Sequence, residues 1–141
     1  MERTGLPESA FDLAVGNVPY SDAIRIDNTV IHDWFIRHSL DTVRPGGLVA
    51  VLTSRYTLDK NTTGMRRELA RKAELVAACR LPRETFGRQA GTEVVSDILV
   101  LRKRDEPLAD VDAAWVDAVE FSQASTPTGC SWSTPNTWRA P

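Results

Sequence analysis

Asn17, Val18, Pro19 and Tyr20 form a tetrapeptide suited to holding a planar heterocycle by its amino group. Asn17 brings a side-chain carbonyl that accepts a hydrogen bond from an exocyclic amine. The Val18 backbone carbonyl offers a second acceptor, while Pro19 removes a competing donor and stiffens the turn. Tyr20 adds a flat ring on which an unstacked base can lie, a contact worth roughly 1–3 kcal/mol in nucleic-acid binders. Two acceptors on one amine draw it toward tetrahedral geometry and expose the nitrogen lone pair for attack on an activated methyl group. A base inside a duplex reaches such a pocket only after flipping out. Asn and Pro are also ordinary turn formers, so the tetrapeptide alone reads more readily as a plain turn. Its position decides its weight.

That position is the end of Phe11-Asp12-Leu13-Ala14-Val15-Gly16, a short apolar run that reads as a buried strand. In an open α/β sheet, ligands bind beyond the carboxyl ends of the strands. The polar, aperiodic stretch Asn17 to Thr29 reads as a loop. A helix then opens near Val30, capped by Asn28 or Thr29. Its apolar face carries Ile36, Leu40 and Val43, with Ile31 and Phe35 beside them. Pro45-Gly46-Gly47 is expected to stop it.

Leu48 to Thr53 is a second, near-continuous apolar strand of the kind covered on both faces. A second helix is expected over Thr62 to Lys72, capped by Asn61, with Met65, Leu69 and Ala73 on one face. A third strand, Leu75 to Leu81, ends at Pro82, and Ile98 to Leu101 forms a fourth. Strands alternating with helices imply a mostly parallel sheet with helices on its faces. The last two strands have no helix between them, so the final one is expected to enter antiparallel. The fold class is therefore α/β. Asp110 to Phe121 suggests a short acidic helix or linker. The Ser-, Thr- and Pro-rich residues 122–141, with Trp132 and Trp138, have the composition of a disordered tail. A partner-binding motif and a non-native terminus both remain open for those tryptophans.

The chain has 141 residues, 42% hydrophobic and 26% charged, with a net charge of -2. There is no global basic field, so any nucleic-acid contact must come from local arginine and lysine placement. Cys79 and Cys130 lie far apart without metal-ligand spacing. No zinc site, no metal and no disulfide scaffold is expected, which fits a reducing cytoplasm. Neither a signal peptide nor a membrane span is expected.

Other side chains invite two readings each. His32 and His38, six apart on one helix, fall on different faces and suit structural or surface roles. Arg55 and Tyr56 follow the second strand at the sheet edge that carries Asn17. They line a base or DNA path, or form a plain strand-end loop. Arg80, Arg83 and Arg88 with Phe86 combine cations and an aromatic around the long loop from Pro82 to Ser96, a set suited to DNA or to solvent. Arg66, Arg67, Arg71 and Lys72 read best as a solvated helix face. Gly46-Gly47 follows a helix and precedes a strand, the reverse of a phosphate cradle.

Phe11-Asp12 through Asn17-Val18-Pro19-Tyr20 resembles the Asn-Pro-Pro-aromatic motif of amino-methylating, adenine-specific DNA methyltransferases. The resemblance continues through Ile31-His32-Asp33-Trp34-Phe35, Arg44-Pro45-Gly46-Gly47, Thr53-Ser54, Leu58-Asp59-Lys60 and Arg80-Leu81-Pro82. It closes with Ala90-Gly91-Thr92-Glu93-Val94 and Asp97-Ile98. The series looks like the branch fused to, or encoded with, helicase-like proteins of phages and mobile elements. It implies a Rossmann-like sheet, S-adenosylmethionine as methyl donor, DNA as partner, and Asn17, Val18, Pro19 and Tyr20 as the catalytic segment. Val18 departs from the usual proline but keeps its carbonyl.

The glycine-rich cofactor loop of such enzymes would precede Phe11, and no G-x-G pattern stands there. The cofactor-binding residues are therefore unassigned, apart from Asn17 adjacent to that site. The resemblance implies that residues 1–106 are the carboxyl-terminal part of a methyltransferase domain. An upstream polypeptide with the cofactor loop, or a helicase-like domain, is the partner it implies. The competing expectations are a non-catalytic DNA-binding or interaction module, and a methyltransferase acting on RNA or protein.

Overall fold

The computed structural model describes residues 5–21, 23–82, 95–112 and 115–117. In chain order the elements are β1 (Phe11–Asn17), β2 (Arg25–Ile26), β3 (Thr29–Val30), α1 (Ile31–Thr42) and β4 (Val43–Ser54), followed by α2 (Tyr56–Asp59), α3 (Gly64–Lys72), β5 (Ala73–Arg80) and β6 (Ser96–Lys103). The main sheet is ordered β1-β4-β6-β5. β1 pairs parallel with β4, and β6 lies antiparallel between β4 and β5. Three strands thus run one way and the last runs against them, the mixed α/β sheet expected from the sequence.

The strand–helix junctions differ from expectation. The stretch after Asn17 contains a small hairpin, with Arg25 paired to Val30 and Ile26 to Thr29. Asp27 and Asn28 at its tip have φ of 50° and 62°. Positive φ at both central residues is the primed turn that matches strand twist, and Asp and Asn tolerate it best after glycine. Asn28 is thereby committed to the turn, and the Thr29 hydroxyl accepts from Arg37 Nη1 at 3.1 Å. Neither caps α1, whose N-cap is Val30 without a side-chain bond. The Ile31 amide is satisfied instead by the Ile24 carbonyl. Asn61 likewise leaves the cap of α3 to Thr63, which makes no side-chain cap bond either.

The first helix also stops earlier than the Pro45-Gly46-Gly47 signal suggested. Proline disfavours helical backbone at the residue before it, and the chain is extended from Val43 onward. Pro45-Gly46-Gly47 lies inside β4, where the pairing jumps from Phe11↔Val43 to Leu13↔Leu48. Gly46 sits at φ 73°. A Cβ on Gly47 would meet the Arg44 carbonyl at 2.8 Å and the Asp12 carbonyl at 3.0 Å. Backbone atoms cannot step aside, so Gly47→Ala is expected to cost about 1–3 kcal/mol. An unchanged urea midpoint would contradict this account of the bulge.

One sheet face packs beneath α1 and α3, which touch each other. Ile36, Leu40, Leu69 and Ala70 from the helices meet Val49, Val51, Leu75, Leu99 and Leu101 from the strands. The opposite face carries Leu48, Ala50, Leu52, Ile98 and Val100, all only half-buried. β1, expected as a buried strand, is instead the exposed edge strand of this sheet, with Leu13 and Val15 54% and 71% exposed. An apolar edge strand of this kind is a template for further strand pairing.

Arg66 is the exception to the solvated helix face expected of Arg66, Arg67, Arg71 and Lys72, of which Arg67 and Arg71 are exposed. It is 1% exposed, and its Nε and Nη1 donate to the carbonyls of Val116 and Lys60, both at 2.7 Å. Burial pushes its guanidinium pKa down, opposed by Asp117 and Asp59. Val111, Trp115 and Val116, in the stretch expected as a short helix or linker, are buried in the same core and are not helical. Arg66→Ala removes both bonds and strands two carbonyls, an expected loss of about 2–4 kcal/mol. Chemical denaturation checks it, and a loss below about 0.5 kcal/mol, the range of ordinary surface changes, would return Arg66 to the surface class.

Cys79 is fully buried in β5 and disulfide-bonded, where the sequence had suggested no disulfide. Among the described residues no helix is long and apolar enough to cross a membrane. No group of potential metal ligands occurs among them either. The tail 122–141 lies outside the described residues.

Candidate active site

The sheet register brings the carboxyl ends of β1, β4 and β5 and the start of β6 to one edge. Asn17 lies opposite Leu52, and the Val18 amide donates to the Leu52 carbonyl at 3.0 Å. The turn is therefore an extension of the sheet. Asn17 and Pro19 are exposed, whereas the Val18 side chain, 5% exposed, is buried in the core. Its isopropyl group anchors the turn beneath Asn17. Sequence reasoning missed this, because it asked what the residue lacks relative to proline.

Tyr20 is half-buried, its ring packed against the core and its hydroxyl fully enclosed. Burial pushes its phenol pKa up, the Ser96 side chain opposes that, and the charge of Asp97 adds to it.

Arg55 and Tyr56 stand beside this segment, as expected of residues following β4. The Arg55 guanidinium lies 5.1 Å from the Tyr56 ring centroid, and Tyr56 is exposed. Such a cation–aromatic pair is a ready surface for a phosphate and a base. Ser54, Thr53 and Thr57 fix it from below: Ser54 Oγ accepts from the Tyr56 amide at 3.3 Å, and the two threonine hydroxyls meet at 2.9 Å. Arg83, Phe86 and Arg88 lie outside the described residues.

Arg80 is a correction. Grouped with cations suited to DNA or to solvent, it is instead held in a buried ion cluster. Its Nε and Nη2 donate to the two oxygens of Asp97 at 2.8 and 2.9 Å, and Nη2 also meets Asp59 at 2.9 Å. Burial weighs against the Arg80 charge, and its bonds to Asp97 and Asp59 more than outweigh it, so its pKa is raised. Asp97 is fully buried; desolvation raises its pKa and Arg80 pulls it back. The cluster bolts α2 to β5 and β6 at the site edge. The legible signal was Arg80 and Asp97 flanking the apolar runs of two consecutive strands.

His32 is likewise structural in surroundings, buried with Asp33 on α1. Lys60 Nζ lies 3.1 Å from Asp33 Oδ2 and 3.4 Å from His32 Nε2. His38 stacks on Trp34 at 4.9 Å.

The mixed sheet with its antiparallel last strand defines the class of fold, the α/β fold of S-adenosylmethionine-dependent methyltransferases of known structure. The particular relatives are found in restriction biology. The chain superposes on the M protein of the type I restriction enzyme EcoKI with a TM-score of 0.55 and 25% identity, covering 68% of this chain and 22% of that one. A class I S-adenosylmethionine-dependent methyltransferase structure from Listeria monocytogenes gives 0.52 and 19% identity, over 71% of this chain and 35% of that one. In sequence, the chain is 33% identical over 113 residues to the defense against restriction protein B of Escherichia phage P1. That match covers 74% of this chain and 5% of the phage protein. No family model matches the sequence. The chain thus spans only a small fraction of the length of the proteins it resembles.

Proposed function

We propose that this chain is the target-base part of a DNA adenine methyltransferase that transfers a methyl group from S-adenosylmethionine to the exocyclic amino nitrogen of adenine. The observation that carries the reading is Asn17, exposed at the end of β1 on a turn hydrogen-bonded to β4 and anchored in the core by Val18. Asn17 Oδ1 and the Val18 carbonyl accept the two amine hydrogens. Pro19 shapes the turn, Tyr20 lies against the flipped base, and Arg55 and Tyr56 contact the strand from which it came. Arg83, Phe86 and Arg88 extend that contact.

When bound, S-adenosylmethionine supplies the electrophilic methyl group. The fit of this chain to it is one-sided: Asn17 presents the acceptor amine, and the exposed edge of β1 leaves room for further strands beside it. The glycine-rich cofactor loop belongs to that further part, carried by an upstream polypeptide or by a helicase-like protein that includes it.

Complementation tests the reading. The chain supplied with the cofactor-loop part of the domain is expected to methylate DNA. DNA binding with salt-dependent affinity but no cofactor binding and no transfer would favour a non-catalytic module.

A further inference from the structure

A cleft of about 370 Å³ opens between the β2–β3 hairpin, α1 and α3. Its walls come from the connection between β1 and α1, the connection between β4 and α3, and the first two turns of those helices. Tyr20 and Arg55 belong to the same two connections, so the cleft lies at the carboxyl edge of the sheet, where α/β folds hold their ligands. Three cations line it, Arg25, Arg37 and Lys60, against two carboxylates, Asp33 and Glu68. Both carboxylates are already engaged. Asp33 is 4% exposed, with Lys60 Nζ 3.1 Å from its Oδ2. Glu68 pairs with Arg37 Nε at 2.9 Å and lies 3.8 Å from Lys72, a cation that does not line the cleft. The cations keep donors in reserve. Arg25 is exposed, meets no carboxylate among the described residues, and donates one bond, from Nη1 to the Asn28 carbonyl at 3.2 Å. Arg37 gives Nε to Glu68 and Nη1 to Thr29, which leaves its Nη2 hydrogens for a ligand. α3 opens beside them without a side-chain cap, so its first amides add partial positive charge. In a chain of net charge -2, a local excess of this kind is what contact with a polyanion requires.

We infer that this cleft is a phosphate subsite, seating one backbone phosphate of the DNA strand whose base is presented to Asn17. Arg25 and Arg37 donate to the phosphate oxygens, and Lys60, held by Asp33, adds a fixed charge. The hairpin keeps Arg25 in place: Arg25 pairs with Val30, and the Ile24 carbonyl accepts from the Ile31 amide at 3.0 Å. Phosphate contacts set the register of a strand without reading its sequence. This inference rests on the DNA methyltransferase reading, and it names residues that hold the strand beside the flipped base.

The test is binding of duplex DNA by the full chain combined with the cofactor-loop part, followed by fluorescence anisotropy over a salt series. Arg25→Gln is expected to weaken binding about tenfold, the scale of one lost charge-assisted hydrogen bond. It is also expected to reduce the slope of log affinity against log salt by about one. Arg25→Lys, which keeps the charge, is expected to keep the slope. So is Arg44→Gln, at the far end of β4 and paired with Asp12. Replacing single phosphates by neutral methylphosphonates locates the contact. At one position the loss is expected to match that of Arg25→Gln, with no further loss when the two changes are combined. A slope unmoved by Arg25→Gln, or losses that add at every position, would overturn the inference. Neither measurement needs methyl transfer. A protein that methylates DNA but shows neither effect fails this inference alone, whereas one that binds no DNA fails the reading beneath it.

Discussion

Asn17→Ala is expected to lower the rate of methyl transfer by at least about a hundredfold, the scale on which a single preorganised hydrogen-bonding group at a reacting atom acts. The target amine is a poor nucleophile while its lone pair is delocalised into the ring. Two acceptors on its hydrogens localise that pair, and only one of them is a side chain. Removing Asn17 Oδ1 leaves the Val18 carbonyl alone, with one hydrogen undirected. The fold should not suffer, because Asn17 is exposed and the turn is held by Val18. Asn17→Asp keeps an acceptor and tests acceptance against shape. The check is single-turnover transfer of a labelled methyl group to DNA, with thermal unfolding as the control. Robust activity of Asn17→Ala would end the mechanism.

Arg80→Ala is expected to lower stability by about 3–5 kcal/mol, because it leaves the fully buried Asp97 without its counter-charge. Arg80 is itself only 10% exposed in its side chain, so solvent does little to soften the loss. Asp97→Asn in the same background should recover part of it by removing the stranded charge, and that recovery distinguishes an ion-pair effect from lost packing. Urea unfolding of the single and double variants is the measurement. Equal losses in both would show that packing, not charge, sets the cost.

The elements that position the site were legible because their signals are local. Phe11 to Gly16, Leu48 to Thr53 and Ile98 to Leu101 are apolar runs bounded by turn residues, and each became a strand with longer ends. The antiparallel entry of β6 followed from the missing helix before it. What escaped was set at a distance. Arg66 shares its helix with exposed Arg67 and Arg71, and one of the two carbonyls that hold it lies fifty residues on, at Val116. The β2–β3 hairpin turns on Asp27-Asn28, not the Asn-Gly or Asp-Gly pairs that announce such turns. Once the hairpin exists, the cap expected from Asn28 or Thr29 is no longer available. Asp97 gained a role only through the register that sets it against Thr53 and Arg80.

The candidate site divides the same way. Asn17, Pro19 and Tyr20 were readable from residue type and from their place after a strand. The burial of Val18, and the enclosure of the Tyr20 hydroxyl, required the packing of the sheet and a turn. β1 lies at the edge of the sheet among the described residues, and the chain covers 22% of the EcoKI M protein.

The destination of the methyl group tests the central claim most directly. Isotope-labelled S-adenosylmethionine is supplied to the chain combined with the cofactor-loop part, in the presence of DNA, RNA and protein, and the products are digested and analysed by mass spectrometry. The account predicts label on the exocyclic nitrogen of adenine in DNA, lost with Asn17→Ala. Label on RNA or on a protein side chain, or label on adenine that persists in Asn17→Ala, would contradict it.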